Sequence, residues 1–228
     1  MTDTARIHGV SAKVSAMTLC VIFDNDGTLV DSERLGCQVF AELIPELGEP
    51  VDVLVERYRG KKLAIVLDDI GQRIGRTIDI EAFSPPFRAR SAELFASCLE
   101  PMPGVPAMLP RLRQPFCLAS NGPLIKIRQT LEATGLAPYF GDRLFSAYDI
   151  GYWKPDPGLF LHAAHAMGFA PEQCVVIEDS PTGLAAAHAA GMIGIFYTNG
   201  AEHTDDVLSV SHMSELPALL DALEEARR

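Results

Sequence analysis

The stretch that most constrains this chain is Cys20 to Val30, CVIFDNDGTLV, where a short run of Val, Ile and Phe stops at two acids, Asp24 and Asp26, followed by Gly27. So short an apolar run reads as a strand rather than a helix, and with both faces apolar it reads as a buried strand of a parallel sheet. In open parallel sheets ligands bind beyond the carboxyl ends of the strands, which is where Asp24 and Asp26 fall. Alternation along an extended chain places the two acids on one side and turns Asn25 away. Two carboxylates in one small space call for a cation between them. The chemistry that uses such a pair is phosphoryl transfer through a covalent aspartyl phosphate, with Asp24 as nucleophile and Asp26 as general acid and then base. Asp, Asn and Gly are also the commonest turn residues, so DNDG reads equally as a plain Asx turn after a strand.

From Asp31 to about Glu100 the periodicity is helical, with helices predicted near 32–47, 51–58, 62–74 and 87–99 and no strand-like alternation between them. The cluster PMPGVP, Pro101 to Pro106, closes this insert. Beyond it the runs PFCLAS (Pro115 to Ser120), RLFSAY (Arg143 to Tyr148), CVVIED (Cys174 to Asp179) and IGIFY (Ile193 to Tyr197) alternate with helical segments. The amphipathic ELPALLDALEEA, Glu215 to Ala226, reads as a closing helix. Alternating strands and helices predict an α/β fold with a doubly wound parallel sheet. Its core is expected over 17–30 and 101–228, with an inserted α-helical cap over 31–100 and a polar leader over 1–16. Met17 is a candidate alternative start.

Thirty acidic against nineteen basic residues leave a net charge of −11, which disfavours nucleic acid or anionic membrane as partners. An anionic substrate therefore needs a local set of cations. The run Arg57, Tyr58, Arg59, Gly60, Lys61, Lys62 in the expected cap supplies four, and makes Arg57, Lys61 and Lys62 candidate substrate residues; the same run also reads as a solvated helix end. Five cysteines lie scattered among apolar neighbours with neither a CxxC pair nor a disulfide-like spacing, which implies a reducing, cytoplasmic setting. Neither a secretory signal nor an apolar run long enough to span a membrane is legible. His162 and His165, three apart on one predicted helix, read as a surface face in preference to a ligand pair.

Three of the later strands lead into helix starts marked by proline: Asn121-Gly122-Pro123, Lys154-Pro155-Asp156-Pro157 and Ser180-Pro181. Capping residues before prolines, gathered on one sheet edge, predict helix N-termini that offer N–H groups to an anion. Ser120 ends its strand and can offer a hydroxyl to a phosphoryl oxygen, or simply start a helix. Lys154 is placed to neutralise phosphate charge. Glu178 and Asp179 end an otherwise apolar strand, where unpaired acids are costly, and so point to a metal.

In type, order and spacing, FDNDGTLVDSE, LASNG, WKPDP and VIEDSPTG resemble the haloacid dehalogenase-like hydrolase superfamily, over nearly the whole chain after Met17. The resemblance implies a Rossmann-like core with a small helical cap. It also implies catalytic Asp24 and Asp26, phosphate binding by Gly27, Ser120, Asn121 and Lys154, and Mg²⁺ held by Asp24, Asp26, Glu178 and Asp179. ERYRGKKL, SNGP and AYDIGYWKPDPGLFLHAAHAMG look like the 6-phosphogluconate phosphatase branch and its sugar-phosphatase neighbours. The implied partner is a small phosphorylated sugar or sugar acid, and the expected assembly is a monomer or homodimer. A β-phosphoglucomutase-type phosphomutase shares the frame, and a phospho-acceptor signalling receiver also combines an acid pair, a Ser or Thr and a Lys on a doubly wound sheet. The cap and the acid two residues after the nucleophile favour turnover over signalling.

Overall fold

The computed structural model describes residues 18–201 and 207–227; the expected leader and Met17 lie outside them. The elements in chain order are β1 (Cys20–Phe23), α1 (Ser32–Leu43), α2 (Val51–Tyr58), α3 (Leu63–Ile74), α4 (Ile80–Cys98) and α5 (Val105–Met108). Next come β2 (Phe116–Ser120), α6 (Leu124–Ala133), α7 (Ala137–Phe140), β3 (Leu144–Ser146), α8 (Ala147–Ile150) and α9 (Gly158–Met167). The chain then forms β4 (Cys174–Glu178), α10 (Pro181–Ala189), β5 (Ile193–Tyr197), β6 (Ser209–Val210) and α11 (Leu216–Glu225).

The six strands form one parallel sheet in the order β3-β2-β1-β4-β5-β6. β1 is central, with β2 on one side and β4 on the other, so the strand order reverses at its carboxyl end. That crevice is where doubly wound sheets take their ligands. Alternation splits β1 between two cores: Val21 and Phe23 face a layer with Leu131, Phe140 and Leu216, while Cys20 and Ile22 face one with Phe160, Ala163 and Ala186. Every residue of β1 is fully buried, which is why its sequence is a continuous apolar run rather than an alternating one.

The helices α1 to α4 have their own apolar core, in which Phe40 stacks on Phe83 and Phe87 and packs with Leu54, Leu67 and Ile70. The two chain segments joining this cap to the sheet run side by side: Val30 bridges Pro101 antiparallel, Asp31 N–H donates to the Glu100 carbonyl at 3.1 Å and Met102 N–H to Leu29 at 2.9 Å.

The structure departs from the sequence reading in β6, which was not expected, in the strand expected over Arg143 to Tyr148, which stops at Ser146 where α8 begins, and at several helix starts. The helix predicted near 87–99 starts at Ile80 and runs through Pro85 and Pro86. Both prolines lie on its exposed side, so the bonds they forgo face water, while Phe83 and Phe87 on the other side pack against Phe40 and hold the turn. Of the three proline-marked helix starts, only Ser180-Pro181 has the predicted cap, Ser180 Oγ accepting from Gly183 N–H at 3.1 Å. At α6 and α9 the proline is itself the cap residue, and neither helix start has a side-chain cap.

Candidate active site

The end of β1 is fastened by Asp24 N–H, which donates to the Ile177 carbonyl at 3.0 Å as the last rung towards β4. The chain then folds tightly, the Asn25 carbonyl accepting from Leu29 and Val30 N–H at 2.9 and 3.1 Å. Gly27 is required twice: its φ is +82°, and a Cβ there would lie 2.2 Å from Asp179 Oδ2. Asn25 turns away from the crevice into the core, where its Nδ2 donates to Thr130 Oγ1 at 3.2 Å.

Four buried charged side chains meet where β1 and β4 end. Lys154 Nζ lies 2.6 Å from Asp24 Oδ1 and 2.5 Å from Glu178 Oε1, with only 4% of its side chain exposed. Asn121 Oδ1 accepts from Lys154 N–H at 2.9 Å, so this side chain fixes the lysine's backbone. Glu178 Oε2 accepts from Ser180 N–H at 3.1 Å and from its hydroxyl at 2.8 Å. Asp179 Oδ1 accepts from Thr28 Oγ1 at 3.2 Å, whereas Oδ2 is buried without a donor. Oxygens of Asp24, Glu178 and Asp179 lie within 4.8 Å of one another. Ser120, at the end of β2, is buried and accepts from Gly122 N–H at 3.0 Å, which leaves its hydroxyl hydrogen to donate.

The electrostatics follow from this crowding. Burial pushes the Asp24 carboxyl up to about 7 against the pull of Lys154, with Glu178 and Asp26 adding to the rise. Asp179 is pushed well up by burial and then by Glu33, Glu178 and Asp24. Burial alone would lower Lys154, but the Asp24 and Glu178 carboxylates together hold it above its ordinary value. Three buried carboxylates around one ammonium, all oxygen donors and one of them unpartnered, are the donor set a hard divalent cation takes.

Asp26 stands outside that carboxylate group. Its side chain pairs with Lys126 at 2.8 Å and accepts from Ser32, so the two acids of the motif have different cations. Burial works to raise Asp26, yet Lys126 and Ser32 bring it below the usual carboxylate range.

The cap residues meet this crevice unevenly. Gly60, with φ +68°, approaches the core so closely that a Cβ would lie 3.0 Å from that of Ser180, and its N–H donates to Glu33 Oε1 at 2.6 Å. Lys62 Nζ sits 5.7 Å from the centre of the Trp153 ring, beside Lys154 in the chain. Lys61 lies instead over the cap's own Tyr58, and Arg57 pairs with Glu49 at 3.6 Å, so neither is brought to the carboxylates. His162 and His165 are exposed on α9.

Sequence reasoning missed Lys126, Ser32, Glu33 and Thr28. Thr28, Ser32 and Glu33 lie within FDNDGTLVDSE itself, and the hydroxyl side chains of Thr28 and Ser32 just after the acid pair were a usable signal. Lys126 had none: it becomes a partner of Asp26 only because α6 begins over the end of β2.

A doubly wound sheet with a helical cap and a lysine among buried acids at its switch point is the kind of site that phosphoryl-transfer enzymes use. Residues 18–191 match the family model of the haloacid dehalogenase-like hydrolases, and the chain belongs to that family. It is 36% identical over 209 residues to the 6-phosphogluconate phosphatase of Escherichia coli K12, covering 89% of this chain and 94% of that protein. A conserved haloacid dehalogenase-like protein of unknown function from Agrobacterium tumefaciens has the same fold, with TM-score 0.78, 32% identity and coverage of 90% and 99% of the two chains. A family hydrolase from Deinococcus radiodurans, solved with bound phosphate and sodium, superposes with TM-score 0.73 at 28% identity and covers 92% and 98%. The protein is an enzyme of the phosphatase kind within this family. Among the described residues no helix is long and apolar enough to cross a membrane.

Proposed function

We propose that the protein is a Mg²⁺-dependent phosphatase of a small phosphorylated sugar or sugar acid, 6-phosphogluconate being the model, acting through an aspartyl phosphate on Asp24. The observation that carries this reading is the separation of the two acids, Asp24 held by Lys154 among carboxylates and Asp26 held apart by Lys126. The separation gives each acid its own task, Asp24 beside Lys154 bonding to phosphorus while Asp26, apart from the other carboxylates, moves a proton.

An Asp24 carboxylate oxygen bonds to phosphorus as the bond from phosphorus to the sugar oxygen breaks. The leaving electron pair stays on that oxygen, which takes the proton of Asp26. Water then attacks the phosphorus, gives a proton to Asp26, and the bond to Asp24 breaks, returning both acids to their starting forms. Lys154 and the Ser120 hydroxyl face the equatorial oxygens, with Gly27 and Asn121 shaping the backbone around them. Asp24, Glu178 and Asp179 would hold Mg²⁺, which when bound offsets phosphate charge and the mutual repulsion of these acids. Lys62 is the cap cation best placed to read the far end of the substrate. The name of the Escherichia coli relative and the phosphate in the Deinococcus radiodurans structure support the reading.

The test is phosphate release from a panel of sugar and sugar-acid phosphates with and without Mg²⁺. Release of phosphate from a hexose or hexonate phosphate, abolished by a chelator, is expected. An isomerised sugar phosphate with little free phosphate would replace the reading by a phosphomutase, and full activity in excess chelator would remove the metal from it.

A further inference from the structure

Asn25 is a fully buried amide in an apolar layer. It continues the row of Val21 and Phe23 on the face of the sheet against which Ile127 and Leu131 of α6 pack. A buried amide costs free energy unless it is hydrogen-bonded, and an apolar side chain would fill the same place without that cost. Its partner is Thr130, also fully buried, on α6. Thr130 Oγ1 gives its hydrogen to the Ile127 carbonyl at 2.9 Å, which leaves a lone pair for Asn25 Nδ2 at 3.2 Å. The same amide nitrogen also donates to Asp26 Oδ1 at 3.3 Å, and the Asn25 carbonyl accepts from Leu29 and Val30 N–H.

The residue between the two acids is thereby fixed at both its backbone and its side chain. An apolar side chain in this place would pack equally well after a small rotation of the turn, whereas a hydrogen bond is directional and weakens steeply once bent. Rotation of residue 25 swings the Cα–Cβ bonds of Asp24 and Asp26 with it, because all three share one tight turn. We propose that Thr130 is a positioning residue, which through Asn25 holds this turn so that Asp24 points in line at phosphorus. Thr130 lies one helical turn beyond Lys126, whose ammonium pairs with Asp26, so a single face of α6 holds both Asn25 and Asp26. The same helix follows directly on the loop of Ser120, Asn121 and Gly122, and therefore sets the phosphate-facing loop and the nucleophile's turn relative to each other. The inference rests on Asp24 acting as the nucleophile in the phosphatase reading, and not on which sugar is the substrate.

The experiment uses the full chain with Mg²⁺ and compares wild type with Thr130→Val, Thr130→Ser and the double variant Asn25→Leu/Thr130→Val. Each is measured for Tm, for kcat and KM on nitrophenyl phosphate, and for binding of trifluoroberyllate, which bonds to a carboxylate oxygen in the place of a phosphoryl group. Valine keeps the shape of threonine without the hydroxyl, and serine keeps the hydroxyl without the methyl. Both single variants are expected to lower Tm. Only Thr130→Val should lose turnover, by about 10- to 100-fold in kcat with KM within about twofold, since a misplacement of about 1 Å can cost 10²-fold. Affinity for trifluoroberyllate should fall by about tenfold in Thr130→Val and hold in Thr130→Ser. In the double variant an apolar pair replaces a hydrogen-bonded one, so Tm should return towards wild type while kcat stays low. A Thr130→Val kcat that matches wild type, an equal loss in Thr130→Ser, or a double variant that regains kcat along with Tm overturns the proposal. Trifluoroberyllate held equally by wild type and both single variants also overturns it and leaves the aspartyl-phosphate reading standing. A wild type that takes up none removes that reading and the proposal with it.

Discussion

Asp179 presents the least compensated atom of the site, a buried Oδ2 with no donor, in a carboxylate that burial, Glu33, Glu178 and Asp24 all drive towards protonation. An unsatisfied buried polar group costs about 1–3 kcal/mol, and more when charged. Asp179→Asn should therefore stabilise the metal-free protein at pH 7.5, by about 2–12 °C at roughly 2–4 °C per kcal/mol for a chain of this size. On the proposed reading Mg²⁺ should raise the Tm of the wild type, and the same change should abolish turnover and erase that rise; a variant that keeps it would show that Asp179 is not a ligand. Asp24 gives a related pH dependence. Its carboxyl goes from an ordinary value of 3.8 to about 7 on folding, so the folded state binds the proton more tightly. This group's contribution is complete at about pH 4 and is lost as pH rises through about 7. In metal-free protein the stability of wild type relative to Asp24→Asn should fall between about pH 4 and 7 and level off above; a difference that stays flat across that window would contradict the burial argument.

At the scale of elements, helix α10 begins directly against Glu178, since a Cβ at Gly183 would lie 1.9 Å from its carboxyl carbon. Gly183→Ala would ordinarily favour a helix by about 1 kcal/mol, so any loss in this variant comes from the displaced carboxylate. The expected result is a higher Mg²⁺ requirement, about tenfold or more, with turnover falling further than thermal stability; an unchanged Mg²⁺ titration would separate Gly183 from the site. The elements also explain what could be read in advance. β1, β2, β4 and β5 were legible because each is buried on both faces and ends in a polar residue or turn, so Asp24, Ser120, Glu178 and Asp179 could be placed at one sheet edge before any coordinates existed. β6 was not, because Ser209–Val210 is too short to carry a pattern. The first turns of α4 were hidden behind Pro85 and Pro86, whose local penalty is outweighed by contacts with Phe40 that no local rule contains. Lys126 was illegible for the same kind of reason: it meets Asp26 through the packing of α6, a hundred residues along the chain.

For the molecule as a whole, the cap has its own core around Phe40, joins the sheet through two adjacent segments at Val30 and Pro101, packs α4 on α6 with Phe95 and Leu99 in the core cluster, and meets the core at further touching points. Two of them, Gly60 against Ser180 and Lys62 over Trp153, lie beside the carboxylates and Lys154. In a protein of net charge −11, a substrate carrying both phosphate and carboxylate needs cations at each end. In the proposed reading Lys154, paired with Asp24 and Glu178, serves the phosphate end, and among the described residues Lys62 has no carboxylate partner. Lys62→Ala should therefore raise KM for a sugar-acid phosphate by about tenfold, equivalent to about 1.4 kcal/mol of binding, while an uncharged aryl phosphate changes little. Because binding remote from the reacting centre also helps close a cap, kcat for the sugar acid is expected to fall as well. Lys61→Ala is the internal control: its ammonium lies over Tyr58 within the cap, and its effect should be smaller on both substrates. Equal KM shifts for the two lysine variants, or for the two substrates, would mean that cap charge in general, rather than Lys62 at the Trp153 edge, draws the anion in.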